Sequence, residues 1–71
     1  MQRKCVSSSN IASVGYDFVQ SILEVEFSNG TVYQYFNVPQ RVYTEIMNAS
    51  YHGSYLDTNV KKAGTRYQRI R

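Results

Sequence analysis

Between Ile22 and Phe27 the side chains alternate, with Leu23, Val25 and Phe27 on one parity and Glu24 and Glu26 on the other, which is the period of a half-buried strand. A second alternating run, Val32-Tyr33-Gln34-Tyr35-Phe36, follows Ser28-Asn29-Gly30, and an Asn-Gly step between two such runs predicts a β-hairpin. Two registers fit. A two-residue type I′ loop at Asn29-Gly30 pairs Phe27 with Val32, places Gln34 on the apolar face and turns Tyr33 and Tyr35 toward Glu24 and Glu26. A three-residue loop with Gly30 in a left-handed bulge instead pairs Phe27 with Thr31, Val25 with Tyr33 and Leu23 with Tyr35, and sets Gln34 near Glu24. The bulged loop is favoured, because it buries no glutamine and its aromatic–aliphatic cross-strand pairs contribute about 0.2–1 kcal/mol each. In that register the tyrosines pack first and recognise second. Their hydroxyls need partners at the edge of the core, since a buried phenol without a hydrogen bond costs about 1–3 kcal/mol.

Upstream, Ser7-Ser8-Ser9 reads as a loose lead into a first strand from Asn10 to Tyr16 that ends near Asp17, with Gly15 marking a bulge or a close backbone approach. Downstream, Asn37-Val38-Pro39 ends the sheet and opens a helix, with Asn37 or Val38 at the cap and Pro39 in the first turn. Val42, Ile46 and Ala49 recur at helical spacing, with Tyr43, Met47 and Ser50 on the adjacent stripe, so this helix lies on the sheet near residues 39–50. It stops around Tyr51-His52-Gly53. Ser54, three residues before Asp57, reads as a weak cap for a short helix near 54–62, and Ala63-Gly64-Thr65 then breaks the chain. Arg66 to Arg71 reads as an edge strand guarded by arginines or as a frayed end. The elements predict an α+β fold: a small antiparallel sheet of three to four strands around the central hairpin, with one longer and one short helix packed on one face.

Size narrows the function. Seventy-one residues make one domain (1–71, core about 8–67) with little room for a deep cavity. Cys5 is the only cysteine, so no intramolecular disulfide forms, and with His52 the only histidine a structural zinc site lacks ligands; a reducing cytoplasm is the simplest home. Apolar residues never run more than two in a row, which argues against a membrane span or a secretory signal. Charge adds an asymmetry. The segment 61–71 carries Lys61, Lys62, Arg66, Arg69 and Arg71 with no acid, giving +5, while residues 1–60 sum to −2. Such a separation can draw a polyanion to one end of the domain. It also serves solubility alone.

No residue set supplies a reaction. His52 is the one side chain whose ordinary pKa lies near neutrality, yet no nucleophile, base and orienting carboxylate can be assembled around it, and local hydrogen bonding in a turn is the plainer reading. Cys5 beside Arg3 and Lys4 has no base or oxyanion site, and strand alternation by itself explains Glu24 and Glu26. Gly15, Gly30, Gly53 and Gly64 are too dispersed for a phosphate-binding loop. The expectation is therefore no enzyme, cofactor, metal or small-molecule substrate. What remains is aromatic residues near basic ones: Tyr67 between Arg66 and Arg69, and Tyr51 and Tyr55 ahead of Lys61 and Lys62. Tyrosine faces stack on unpaired bases, and cations contact phosphates.

Ser8-Ser9-Asn10-Ile11 with Val14-Gly15-Tyr16-Asp17, then Leu23-x-Val25-x-Phe27-x-x-Gly30-x-x-Tyr33-x-Tyr35, Val38-Pro39 and Ser50-x-x-Gly53, resembles the KTSC family. That small domain takes its name from the C-terminus of some lysyl-tRNA synthetases and also occurs as a free-standing bacterial protein. The resemblance runs from about Ser8 to Tyr67, places the family's Tyr-x-Tyr on Tyr33 and Tyr35, and implies a cytoplasmic, non-catalytic domain for which RNA binding has been proposed. It departs where Lys61-Lys62-Ala63-Gly64 precedes Tyr67. Together with the residues, it predicts an accessory module for RNA (transfer RNA or another single- or double-stranded RNA), with Tyr33 and Tyr35 stacking or framing and Lys61, Lys62, Arg66 and Arg69 on phosphates. The alternative is a protein-interaction module, including a homodimer, acting through a sheet edge.

Overall fold

The structure, a computed structural model that describes residues 2–71, closes the Asn-Gly loop in its three-residue form. The Phe27 N–H donates to the Thr31 carbonyl at 2.8 Å and the Gly30 N–H to the Phe27 carbonyl at 2.9 Å. Gly30 stands at φ 92°, where a side chain is disfavoured. Asn29 Oδ1 reinforces the turn by accepting from the Thr31 N–H at 3.1 Å and the Thr31 hydroxyl at 2.7 Å. Leu23 consequently faces Tyr35 and Val25 faces Tyr33, the favoured register.

The hairpin is the centre of a five-stranded antiparallel meander in which strand order equals chain order: β1 (Arg3–Cys5), β2 (Ile11–Asp17), β3 (Ile22–Phe27), β4 (Val32–Tyr35) and β5 (Tyr67–Arg69). Three to four strands were expected, with 66–71 open between an edge strand and a frayed end; it forms an edge strand, and the unanticipated fifth is β1. Arg3-Lys4-Cys5 and Tyr67-Gln68-Arg69 are three-residue strands without an apolar period, held by backbone pairing to β2 and β4. Cys5 therefore belongs to an edge strand. Gly15 admits this strand, because a Cβ there would lie 2.7 Å from the Gln2 carbonyl oxygen; the bulge in β2 falls instead between Ile11 and Ser13.

α1 runs from Gln40 to Asn48 with Pro39 itself as the cap, shorter than the expected 39–50. Ser54 is not a cap. It lies inside α2 (His52–Leu56), which continues without a break into a π-helical turn, Asp57–Lys61. His52 opens this second helix, two residues earlier than the expected start, and does not end the first. Its Nδ1 lies 2.6 Å from the Ile46 carbonyl oxygen, where it satisfies the last turn of α1. The Tyr55 hydroxyl donates to Glu45, so the two helices are also joined at the surface and the Glu45 carboxyl is held below its ordinary range.

Both helices lie on one face. Ile11, Val14, Tyr16, Leu23, Val25 and Tyr35 meet Val38, Val42, Ile46, Leu56 and Val60 there in a continuous buried cluster. The opposite face has no helix, and polar side chains cross it instead. Arg3 donates to Ser13 and to Glu24, Gln34 donates to Glu24 at 2.9 Å, and Gln68 donates to Gln34 at 3.3 Å. A parallel path runs from Ser13 to Glu26 at 2.8 Å and from Arg71 to Glu26 at 2.9 Å. Glu24 is only 6% exposed, and these donors supply what a buried carboxylate requires.

Candidate functional site

The favoured register aligns two cross-strand rows on the helix-bearing face, Tyr16–Leu23–Tyr35–Tyr67 and Val14–Val25–Tyr33–Arg69. α1 and α2 cover the first members of each row. Beyond them the face opens into a groove of about 490 Å³ lined by Phe27, Tyr33, Tyr35, Lys61, Thr65 and Tyr67. Tyr33 is the hub: its ring centroid lies 5.7 Å from Phe27, 6.4 Å from Tyr35 and 5.8 Å from Tyr67. Tyr35 forms the floor at 2% exposure, and Tyr67, 62% exposed, forms a free outer wall.

The π turn supplies the cation. A π-helix closes i to i+5 hydrogen bonds, here from the Lys62 N–H to the Asp57 carbonyl at 2.9 Å. Lys61 Nζ then stands 5.0 Å from the centroid of the Phe27 ring and 3.4 Å from Asp57 Oδ1. Burial, reinforced by the neighbouring Tyr33 and Tyr67 phenols and by Asp57, pushes the Tyr35 phenol up to about 12. Its hydroxyl is therefore neutral at physiological pH, a donor at the base of the groove.

Of the residues singled out in the sequence, Tyr33, Tyr35 and Lys61 come together here. Arg69 pairs with Tyr33 in the register and so lies on the same side, its Nε donating to the Arg71 carbonyl at 3.1 Å. Lys62, exposed, follows the π turn. Arg66 precedes β5 by one residue and has the parity of Gln68, which places it toward the opposite face, where Arg71 is held by Glu26. The basic segment is therefore divided between two surfaces. Phe27 and Thr65 were not singled out as site residues in the sequence, and Tyr67 was noted only as an aromatic between Arg66 and Arg69, not placed with Tyr33 and Tyr35. Extending the Leu23–Tyr35 row by one more strand finds Tyr67, but only once β5 is known to be a strand.

Among the described residues no three histidine, cysteine or acidic side chains converge as a metal-holding group, and no helix is long and apolar enough to cross a membrane. The fold and groove define a small α+β module with an aromatic recess at one end of its sheet. A KTSC domain family model matches residues 7–67, and the chain belongs to that family. It is 41% identical over 70 residues to an uncharacterized protein of Stutzerimonas stutzeri, covering 99% of both chains. A protein of Tsukamurella paurometabola is 36% identical over 56 residues, covering 79% of this chain and 84% of its own. The crystal structure of a KTSC domain protein from Yersinia pestis superposes with a TM-score of 0.89 at 38% identity, covering 99% of this chain and 97% of that one.

Proposed function

We propose that this protein is a non-catalytic module that binds single-stranded RNA through the aromatic groove. The observation that carries the reading is the exposed Tyr67 ring beside Tyr33, at 5.8 Å between centroids, with Lys61 on the same groove. Base–aromatic stacking contributes about 1–3 kcal/mol per base and tolerates any sequence, which suits a recess with three tyrosines and few fixed acceptors. Stacking needs unpaired bases, so single strands are favoured over duplexes. Phosphates are assigned to Lys61, Lys62 and Arg69, on or beside the groove, and not to Arg66. With about three phosphates neutralised on a single strand, the log–log dependence of affinity on salt has a slope of about −2.

The sheet-edge alternative has weaker support. Both edges are three-residue strands carrying Arg3 and Lys4 on one side and Arg69 on the other, and short cationic edges resist pairing with another chain. The test is titration of a labelled single-stranded RNA at low salt against wild type and Tyr67→Ala. A drop in affinity of about 5- to 150-fold in the variant is expected. No binding by wild type, together with a defined dimer in light scattering, would replace this reading with the alternative.

A further inference from the structure

Three clefts on the molecule share walls. The aromatic groove has Phe27 and Lys61 in common with a second cleft of about 450 Å³, and that cleft has Asn10, Gly53 and Ser54 in common with a third of about 320 Å³. Gly53 stands at the second junction, where a Cβ would approach the Asn10 Nδ2 at 3.6 Å. Chemistry changes along the way, from aromatic rings and a lysine, through the amides of Asn10 and Asn29 with the Asp57 carboxylate beside Lys61, to the hydroxyls of Ser7, Ser8, Ser9, Ser50 and Ser54 around His52.

His52 is the fixed element of the far cleft. It is 8% exposed, and the Ile46 carbonyl can only accept, so Nδ1 carries a hydrogen, and in the imidazole tautomer this selects the lone pair lies at Nε2. Nε2 has no partner among the described residues, yet it is not sealed from solvent. An acceptor held in one orientation within a hydroxyl-lined cleft matches an O–H donor. The 2′-hydroxyl is the donor that distinguishes ribose from deoxyribose.

We infer that the three clefts form one track for an extended RNA strand, with bases stacked at Tyr33 and Tyr67 and a ribose 2′-hydroxyl donating to His52 Nε2 at the far end. This rests on the single-strand reading above. Adding nucleotides carries the strand from the aromatic end toward His52, so selectivity for ribose grows with length.

The test compares RNA and DNA oligonucleotides of one sequence, from dinucleotide to octanucleotide, on wild type, His52→Asn and Ser54→Ala. Asparagine keeps a donor near the Nδ1 position, toward the Ile46 carbonyl, and removes Nε2. Wild type is expected to prefer RNA by about 5-fold at the longest length, the worth of one net hydrogen bond, and to show no preference as a dinucleotide. His52→Asn brings the long-strand ratio to about 1, with dinucleotide affinity unchanged. Ser54→Ala, an exposed change that disturbs no core contact, weakens long strands alone, and it decides the matter if His52→Asn fails to fold. A wild-type protein that binds RNA with the same ratio and length dependence as both variants overturns the track and leaves the aromatic site standing. A wild-type protein that binds no oligonucleotide overturns both.

Discussion

At the β2–β3 end of the helix-bearing face, Val14, Tyr16 and Leu23 lie sealed with Val42 and Ile46 of α1, whereas at the β4–β5 end the same face leaves Tyr67 open beside the π turn. The two ends have similar side chains, large and apolar or aromatic, and differ in cover. Five strands spaced by about 4.8 Å make a sheet roughly 20 Å wide, and a helix with its side chains is about 10 Å across. A nine-residue α1 resting on β2 cannot reach the far strands. The recess is thus a consequence of the ratio of strands to helices, and the residues left over at its rim are available to a ligand.

The contrast breaks most sharply at Ile46. Truncation to alanine in the sealed end leaves a cavity and is expected to cost about 2–5 kcal/mol in urea unfolding. The fraction that stays folded should bind RNA as wild type does; a matched loss of binding would mean the two ends are not independent.

Tyr35 sits between the two regimes, and alkali reports on it. Its folded pKa, about 12, lies above the ordinary 10.0, so the folded state holds the proton more tightly. The stabilisation is complete below pH 10.0 and is lost as pH rises through about 12, a change on the order of 2 kcal/mol. Unfolding followed across that window should show a smaller loss in Tyr35→Phe than in wild type. Equal losses would place the phenol in water.

At the open end, stability and binding should part company. Tyr67→Ala removes an exposed ring and is expected to shift unfolding by no more than about 0.5 kcal/mol, while weakening RNA by about 1–3 kcal/mol through lost stacking. A variant that loses both equally would make Tyr67 a packing residue. The smallest effect belongs to Lys61→Gln, which should flatten the salt slope by about 0.7 and leave folding unchanged within error. An unaltered slope would mean that Lys61 contacts no phosphate in the complex.

The centre of this molecule was readable from its pattern, and the rims only in part: residues 66–71 fit either an edge strand or a frayed end, and β1 was not anticipated. Alternation from Leu23 to Phe27, with the glutamine penalty at Gln34, was enough to choose the register. The buried stripe of Val42 and Ile46 was enough to lay α1 on the sheet. β1 and β5 were harder because their order comes from partners far along the chain: Arg3 is held by Glu24 and Arg71 by Glu26, interactions with no local period. The same reason hid part of the site. Tyr33, Tyr35 and Lys61 were singled out and meet, but Tyr67 and Phe27 enter the groove only through tertiary pairing, and Arg66 leaves it because one residue of strand parity reverses its side. His52 looked like the end of α1; its ring instead caps that helix from within the next.

Because α1, α2 and the π turn intervene between β4 and β5, the last strand joins the sheet only by closing a loop of some thirty residues, whereas every other strand pair is a local hairpin. β5 should then be the final piece to zip on during folding and the first to peel away in native fluctuations, leaving its amides the fastest of the sheet to exchange with deuterium. Tyr67 travels with it, so the outer wall of the recess can open like a hinged flap without melting anything beneath.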